Sequence, residues 1–303
     1  MIQSVTVINY LGDVMELDLM NPEKSGFVVK SITGLGPSKG VINTTEVSTN
    51  DGSIYNSARK TQRNIVMQLG FLWSDTIEDA RHRTYKYFPV KKLLTLIFKT
   101  DKRHCMITGY VESNEPDIFS KNSGCQISII CPDPSFYALD SESSNTTTFN
   151  GIEPLFEFEF ENEGVEGTIE FGEIRSKAEN VVTYDGDEEV GIRISIFALG
   201  PATNITIYNS LTRETMTIDT SKIEALTGQG IIDGDEITIC TVKGSKGITL
   251  LRAGKTTNIL NCLGKNIAWF QLTKGDNVFA YSAETGATNL QFRIENDVIY
   301  EGV

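Results

Sequence analysis

The side chains able to do chemistry are few and scattered. His82 and His104 are the only two histidines, so any general base or imidazole ligand would have to be one of them. A serine or cysteine nucleophile would need the same two residues. His104 stands beside Cys105, but neighbours on a strand point to opposite faces, so the two side chains would diverge. His82 falls on a helical stretch, away from its apolar stripe, and reads as a solvated group. The five cysteines are Cys105, Cys125, Cys131, Cys240 and Cys262. Their number is odd and none forms a Cys-x-x-Cys pair, which argues against a disulfide framework and against zinc. They read as small buried hydrophobes.

Carboxylates are abundant but poorly arranged for catalysis. Glu157, Glu159, Glu161, Glu163, Glu166, Glu170 and Glu173 could supply a glycosidase pair. Yet in Phe156-Glu157-Phe158-Glu159-Phe160 the acids alternate with aromatics. That pattern predicts a strand with one buried and one wet face, and a wet carboxylate is not raised in pKa for acid catalysis. Asp185, Asp187, Glu188 and Glu189 cluster oxygens around Gly186, but not at EF-hand spacing; a solvated acidic turn is the plainer reading. Gly254-Lys255-Thr256 lacks the leading glycine of a phosphate loop and sits among strand-like runs, so it reads as a turn. No Gly-x-Ser-x-Gly elbow is present. Trp269, Phe270 and Tyr281 could line a sugar-binding groove, with Phe270 the better core candidate. No catalytic, cofactor-binding or metal-ligating residue is assigned, and the chain is not read as an enzyme.

The elements that would position these residues are mostly strands. Residues 5–9, 14–19 and 27–32 are short β-branched or aromatic runs. A turn at Asn50-Asp51-Gly52-Ser53 follows, since glycine accepts positive φ without steric cost. In residues 63–72, Ile65, Met67, Leu69 and Phe71 alternate onto one face. Residues 93–99, 104–111 and 125–131 continue the pattern. One helix stands out: Asp75 as N-cap with Glu78 three residues on, then Ile77, Ala80, Thr84 or Tyr85, and Phe88 at helical spacing, ended by Pro89. The Cys131-Pro132-Asp133-Pro134 run stops the last strand. A polar connector precedes a second strand-rich half, with turns at Asp185-Gly186-Asp187, Asp233-Gly234-Asp235 and Lys274-Gly275-Asp276. Residues 221–226 have room for one helical turn. The expected class is mainly β, with one helix in the N-terminal domain. The division is 1–138 as an N-terminal domain, 139–150 as linker and 151–303 as a C-terminal antiparallel β-sandwich.

Charge divides the same way. Residues 1–138 hold 15 basic and 14 acidic residues, leaving 12 basic and 26 acidic of the chain's 27 and 40. A near-neutral half joined to a strongly acidic half reads as two units with different surroundings. The acidic half would repel phosphates rather than release their counterions. No apolar run approaches the roughly 20 residues of a membrane span. The first residues lack a basic region followed by an apolar block, so synthesis and folding in the cytoplasm are expected.

A series of short segments runs along the chain in a fixed order. In the first half these are Gly26-Phe27-Val28-Val29-Lys30-Ser31-Ile32-Thr33-Gly34-Leu35, Asp51-Gly52-Ser53-Ile54-Tyr55 and Arg63-Asn64-Ile65. Ile107-Thr108-Gly109-Tyr110-Val111-Glu112, Asp117-Ile118-Phe119 and Ile130-Cys131-Pro132-Asp133-Pro134 follow. In the second half they are Asn204-Ile205-Thr206-Ile207-Tyr208-Asn209, Gly234-Asp235-Glu236-Ile237, Trp269-Phe270-Gln271-Leu272, Gly275-Asp276-Asn277 and Tyr300-Glu301-Gly302-Val303. Taken together, these segments resemble the phage distal tail (Dit) proteins of long-tailed siphoviruses, members of the phage tail component family.

The resemblance implies a virion protein of the phage tail tip, assembled in the bacterial host. It implies a hexameric ring whose N-terminal β domains form a belt around a channel, with galectin-like C-terminal sandwiches projecting outward. The implied partners are the tail tube protein, the tape measure protein and the tail-associated fibre, lysin or receptor-binding protein. DNA would pass through the ring without specific binding, and no cofactor or membrane insertion is implied. A closing ring needs head-to-tail contacts between copies. The stretch 41–63 is the expected site of subunit or tube contact, through Asp51, Gly52, Arg59, Lys60 and Arg63. The main competing reading is a host-adsorption protein whose C-terminal sandwich binds carbohydrate; a component of a contractile tail or bacteriocin particle is a further alternative.

Overall fold

The computed structural model describes residues 1–46, 48, 51–72, 76–119, 123–139, 144–153, 173–176, 179–265 and 267–303. The chain divides into two compact units, one of Met1–Ser143 with Ile299–Val303, the other of Ser144–Val298. The sequence had placed residues 299–303 with the second domain. They belong to the first because the short strand Ile299–Tyr300 pairs with Phe136 and Tyr137 there.

The first unit contains β1 (Ile2–Ile8), β2 (Val14–Asp18), β3 (Phe27–Thr33), β4 (Gly40–Glu46), β5 (Ser53–Lys60) and β6 (Arg63–Phe71). Helix α1 (Ile77–Tyr87) precedes β7 (Leu93–Thr100), β8 (His104–Pro116), β9 (Gly124–Cys131) and β10 (Phe136–Ala138). The main path of the large sheet runs β2-β1-β7-β8-β9-β6-β3, with β10 paired to β8 and to Ile299–Tyr300. Its ladders are antiparallel. The alternation read in the sequence sets the faces: Ile65, Met67 and Leu69 of β6 are buried, while Asn64 and Gln68 are exposed. Leu94, Leu96 and Phe98 of β7 and Ile127 and Ile129 of β9 join them in one core.

The helix begins one residue later than its expected box. Thr76 is the N-cap, accepting a 3.1 Å hydrogen bond from the Asp79 N–H and donating its hydroxyl to Asp79 Oδ2 at 2.7 Å. The threonine hydroxyl can reach that orphan N–H, so the cap moves to it; Asp75 lies outside the described residues. Ala80 and Thr84 face the core, and Phe88, just past the last turn, is fully buried.

The second unit contains β11 (Ser144–Thr148), β12 (Asn150–Glu153), β13 (Glu173–Ser176), β14 (Glu179–Tyr184), β15 (Val190–Gly191), β16 (Arg193–Ala198), β17 (Thr203–Asn209) and β18 (Glu214–Ile218). After α2 (Thr220–Thr227) come β19 (Glu236–Cys240), β20 (Gly247–Arg252), β21 (Lys255–Asn258), β22 (Gln271–Leu272), β23 (Gly275–Thr285) and β24 (Leu290–Asp297). A six-stranded sheet, β11-β24-β16-β19-β20-β21, and a four-stranded sheet, β14-β23-β17-β18, share a core. Tyr281 of β23 stacks on Phe292 of β24 at 3.8 Å between ring centroids, which joins the two sheets face to face. The fold is mainly β, as the sequence indicates, with one addition. Residues 220–227 form a true helix rather than a single turn, because Asp219 caps its start and Gly228, at φ 82°, ends it in the left-handed conformation. The alternating run 156–160 and the carboxylates from Glu157 to Glu170 lie outside the described residues.

Candidate assembly surface

The residues with catalytic potential are kept apart. His82 is exposed on α1, and its ring lies 6.0 Å from that of Tyr85. His104 lies on the outer face of β8 while Cys105 is fully buried on the inner one. Burial pushes the Cys105 and Cys131 thiols up to about 11 and that of Cys125 to about 12, well away from nucleophilic use. Among the described residues no three His, Cys, Asp or Glu side chains stand together as metal ligands. Asp187 instead meets Lys274 at 3.3 Å. Gly254 and Ala253, both at positive φ, make the tight turn between β20 and β21, so Gly254-Lys255-Thr256 holds no phosphate loop. Phe270 is fully buried and Tyr281 is 5% exposed, which removes both from any surface groove. Trp269 is half-buried with Lys246 Nζ 5.6 Å from its ring centroid.

The surface feature that does stand out is the β4–β5 ribbon. Among the described residues these strands pair only with each other, from Gly40↔Lys60 to Glu46↔Ser53, with a bulge between Asn43 and Thr44. Every residue of β5 is exposed, and all of β4 except the half-buried Val41. Ile42, Ile54 and Tyr55 are 65%, 59% and 64% exposed. Side-chain links run across it, from Asn43 Nδ2 to Ser57 Oγ at 3.0 Å and from Asn56 Nδ2 to Thr45 Oγ1 at 2.6 Å. An isolated two-stranded ribbon is marginal in water, and its outer edges present backbone groups that invite a further strand.

The five residues expected at a contact separate here. Asp51 and Gly52 lie at the exposed tip, with Gly52 at φ 92° serving the turn. Arg59 is exposed near the root, and Lys60 forms an ion pair with Glu301 at 2.6 Å. Arg63 does not belong with them. Only 3% of it is exposed. Its Nε donates to Pro134 O at 2.7 Å, Nη1 to Gly34 O at 2.6 Å and to Gly36 O, and Nη2 to Glu301 O at 2.8 Å. The guanidinium also lies 4.5 Å from the Phe136 ring centroid. A buried cation must be hydrogen-bonded, and these carbonyls answer that need within the chain. The acceptors come from segments far apart in sequence, so residue type and spacing around Arg63 carried no signal of them.

A second group of exposed apolar side chains lies on the first unit. Leu93 and Tyr110 are cross-strand partners on β7 and β8, 45% and 47% exposed. Lys92 Nζ lies 5.2 Å from the ring centroid of Tyr10, tying the β1–β2 turn to the start of β7.

No family model and no curated protein matches the chain. Among solved structures, it is similar to the Dit (gp 19.1) protein of phage SPP1, described as a paradigm of hub adsorption apparatus in phages infecting Gram-positive bacteria. That match has a TM-score of 0.60 at 13% identity and covers 97% of this chain and 98% of the other. A chain of the phage P2 baseplate in its activated conformation with Ca matches with a TM-score of 0.42 at 12% identity, over 97% and 98% of the two chains. The SPP1 Dit comparison establishes the fold along nearly the whole chain.

Proposed function

We propose that the chain is a distal tail hub, a structural virion protein without enzymatic activity. Six copies form a ring that joins the phage tail tube to its adsorption apparatus and lets DNA pass. The observation that carries this reading is the shared fold with SPP1 Dit over 97% of the chain, across both units rather than one. The first unit is the ring-former and Ser144–Val298 the outward sandwich. Tail tube, tape measure and fibre, lysin or receptor-binding proteins are its neighbours.

The ribbon supplies a physical means of closure. Head-to-tail contacts require two different surfaces on each copy. The β4–β5 ribbon offers an open edge, exposed Ile42 and Tyr55, an acidic tip with Glu46 and Asp51, and a basic root with Arg59. These features support a contact between copies, or with the tube, through Asp51, Gly52, Arg59 and Lys60. The acidic excess of residues 139–303 keeps the sandwich off the DNA that traverses the ring.

The test is the mass of the purified chain by light scattering, with negative-stain images of the same peak. A mass six times that of the chain, and rings with a central hole, are expected. A species that stays monomeric alone and with a purified tail tube protein overturns the reading.

A further inference from the structure

The ribbon is held at its root by a segment that follows the entire second unit. The chain enters β4 through Gly34, Leu35 and Gly36 and leaves β5 through Lys60, Thr61 and Arg63. Thr61 N and Oγ1 both bond Lys39 O at 3.0 Å, closing the root on itself. Beyond that closure, both branches are tied to Ile299–Val303. On the entering branch, Val303 N donates to Leu35 O at 3.1 Å. On the leaving branch, Lys60 pairs with Glu301 Oε1 at 2.6 Å and Arg63 Nη2 donates to Glu301 O at 2.8 Å. Arg63 also spans the two branches through Gly34 O and Gly36 O.

This segment is itself firmly seated. Its strand residues pair with β10, Phe136↔Tyr300 and Tyr137↔Ile299. Arg103 Nη1 donates to Gly302 O at 2.7 Å, and its guanidinium lies 4.3 Å from the Tyr300 ring centroid. Gly302 passes so close to the entering branch that a Cβ there would stand 2.9 Å from Leu35 O. A side chain at that position would push the two apart.

From this geometry we infer that Ile299–Val303 is a positioning strap for the β4–β5 ribbon. It sets the direction in which the ribbon projects, and the ribbon becomes a fixed arm only after the chain has been made through the second unit to Val303. The strap contributes little to the core: only Tyr300 and Val303 pack against it, each partly buried. Removing it thus loosens the arm before it loosens the unit. The consequence for assembly rests on the ribbon being a contact between copies; the strap's hold on the ribbon does not. A chain released before residue 299 would carry a swinging arm and would join a ring poorly, which keeps incomplete chains out of the particle.

The experiment compares the full chain with a chain stopped after Val298 and with Gly302→Val, using amide hydrogen exchange read by mass spectrometry. Peptides over residues 34–62 report the ribbon and its root, and peptides over β7 and β8 report the core. Exchange is read on the monomeric fraction, so failure to form rings strikes the proposed function and leaves this result standing. The expected result is exchange at least tenfold faster across 34–62 in the stopped chain, with β7 and β8 unchanged. Gly302→Val should give a smaller rise at the same peptides. Unchanged exchange across 34–62 overturns the inference. If stopping the chain loosens β7 and β8 equally, Gly302→Val decides. A rise confined to 34–62 supports the strap, and a uniform change or none overturns it.

Discussion

Arg63 and Glu301, 238 residues apart in sequence, meet through a 2.8 Å hydrogen bond from the arginine Nη2 to the glutamate main-chain oxygen. The same guanidinium serves Gly34, Gly36 and Pro134 carbonyls, so one side chain joins three stretches of the first unit. Replacing it empties a buried position beside the Phe136 ring and takes the donor from four carbonyls, those of half-buried Pro134 and Glu301 and of exposed Gly34 and Gly36, each bond worth about 1 kcal/mol. Arg63→Ala should destabilise the first unit by about 3–5 kcal/mol in urea denaturation. Arg63→Lys should recover little, because an ammonium cannot reproduce a planar fork of five donors. A loss below about 1 kcal/mol in the alanine variant would mean that the carbonyls find water instead.

The exposed ribbon side chains should behave in the opposite way. Ile42 and Tyr55 touch solvent over most of their surface, so Ile42→Asp and Tyr55→Asp should change monomer stability by no more than about 0.5 kcal/mol. If the ribbon is the contact between copies, both should weaken assembly at least tenfold by light scattering, since an interface anchor would be replaced by a charge. Arg59→Glu should do the same through the root. Full assembly by all three variants would move the contact elsewhere, with the exposed Leu93 and Tyr110 pair the next surface to alter.

Local pattern explains how much of this was legible. The alternation of Ile65, Met67 and Leu69 fixes which face of β6 is buried, because strand periodicity is two whatever the partner. The turn glycines at 52 and 254 declare themselves by the positive φ their turns require. The capping shift from Asp75 to Thr76 shows the limit of a one-residue reading, since adjacent residues both have competent oxygens. Arg63 marks a deeper limit. In sequence it sits beside Arg59 and Lys60 and shares their charge, yet its acceptors lie on segments around residues 34, 134 and 301. The placement of Tyr300 was equally hidden, because a two-residue strand against β10 has no signal of its own.

Asp18 offers a pH-dependent reporter on the first unit. Its carboxylate accepts from Lys24 Nζ at 3.1 Å and from the Met20 and Asn21 N–H groups at 2.9 and 3.0 Å. The Lys24 bond first, and then the Asn21 side chain, hold its pKa at about 2, below the ordinary 3.8. A depressed folded pKa means the contribution is complete above the unfolded value. It is lost as pH falls from near 4 through about 2. The Asp18 side chain is 17% exposed and its Lys24 partner 71%, so salt should shrink the effect. The Asp18 carboxyl carbon, followed by NMR, should titrate at about 2 in low salt, and Asp18→Asn should flatten the acid limb of the stability curve. Titration at an ordinary aspartate value would show that the turn does not hold the carboxylate.

The second unit has its own buried ionic joint, between Asp235 and Arg252. Arg252 donates from Nε to Asp235 Oδ1 at 2.7 Å and from Nη2 to Oδ2 at 2.5 Å, a two-point fit. The same guanidinium reaches Gly230 O at 2.6 Å and Thr227 Oγ1 at 3.1 Å, while Asp235 Oδ2 accepts from Ile232 N at 3.0 Å. The pair thus pins the segment between α2 and β19 to the end of β20. The Asp235 side chain is 1% exposed and that of Arg252 18%, so screening by water is weak on the acid's side. Removing only the acid leaves a cation facing carbonyls it can still use, whereas removing only the arginine leaves a buried anion. Arg252→Met should therefore cost more, about 3–5 kcal/mol, than Asp235→Asn at about 2 kcal/mol. The double variant should cost less than the two single losses added, with a coupling of at least about 1 kcal/mol in a double-mutant cycle read by urea denaturation. Simple additivity would show that each side chain acts through its backbone partners and not through the other.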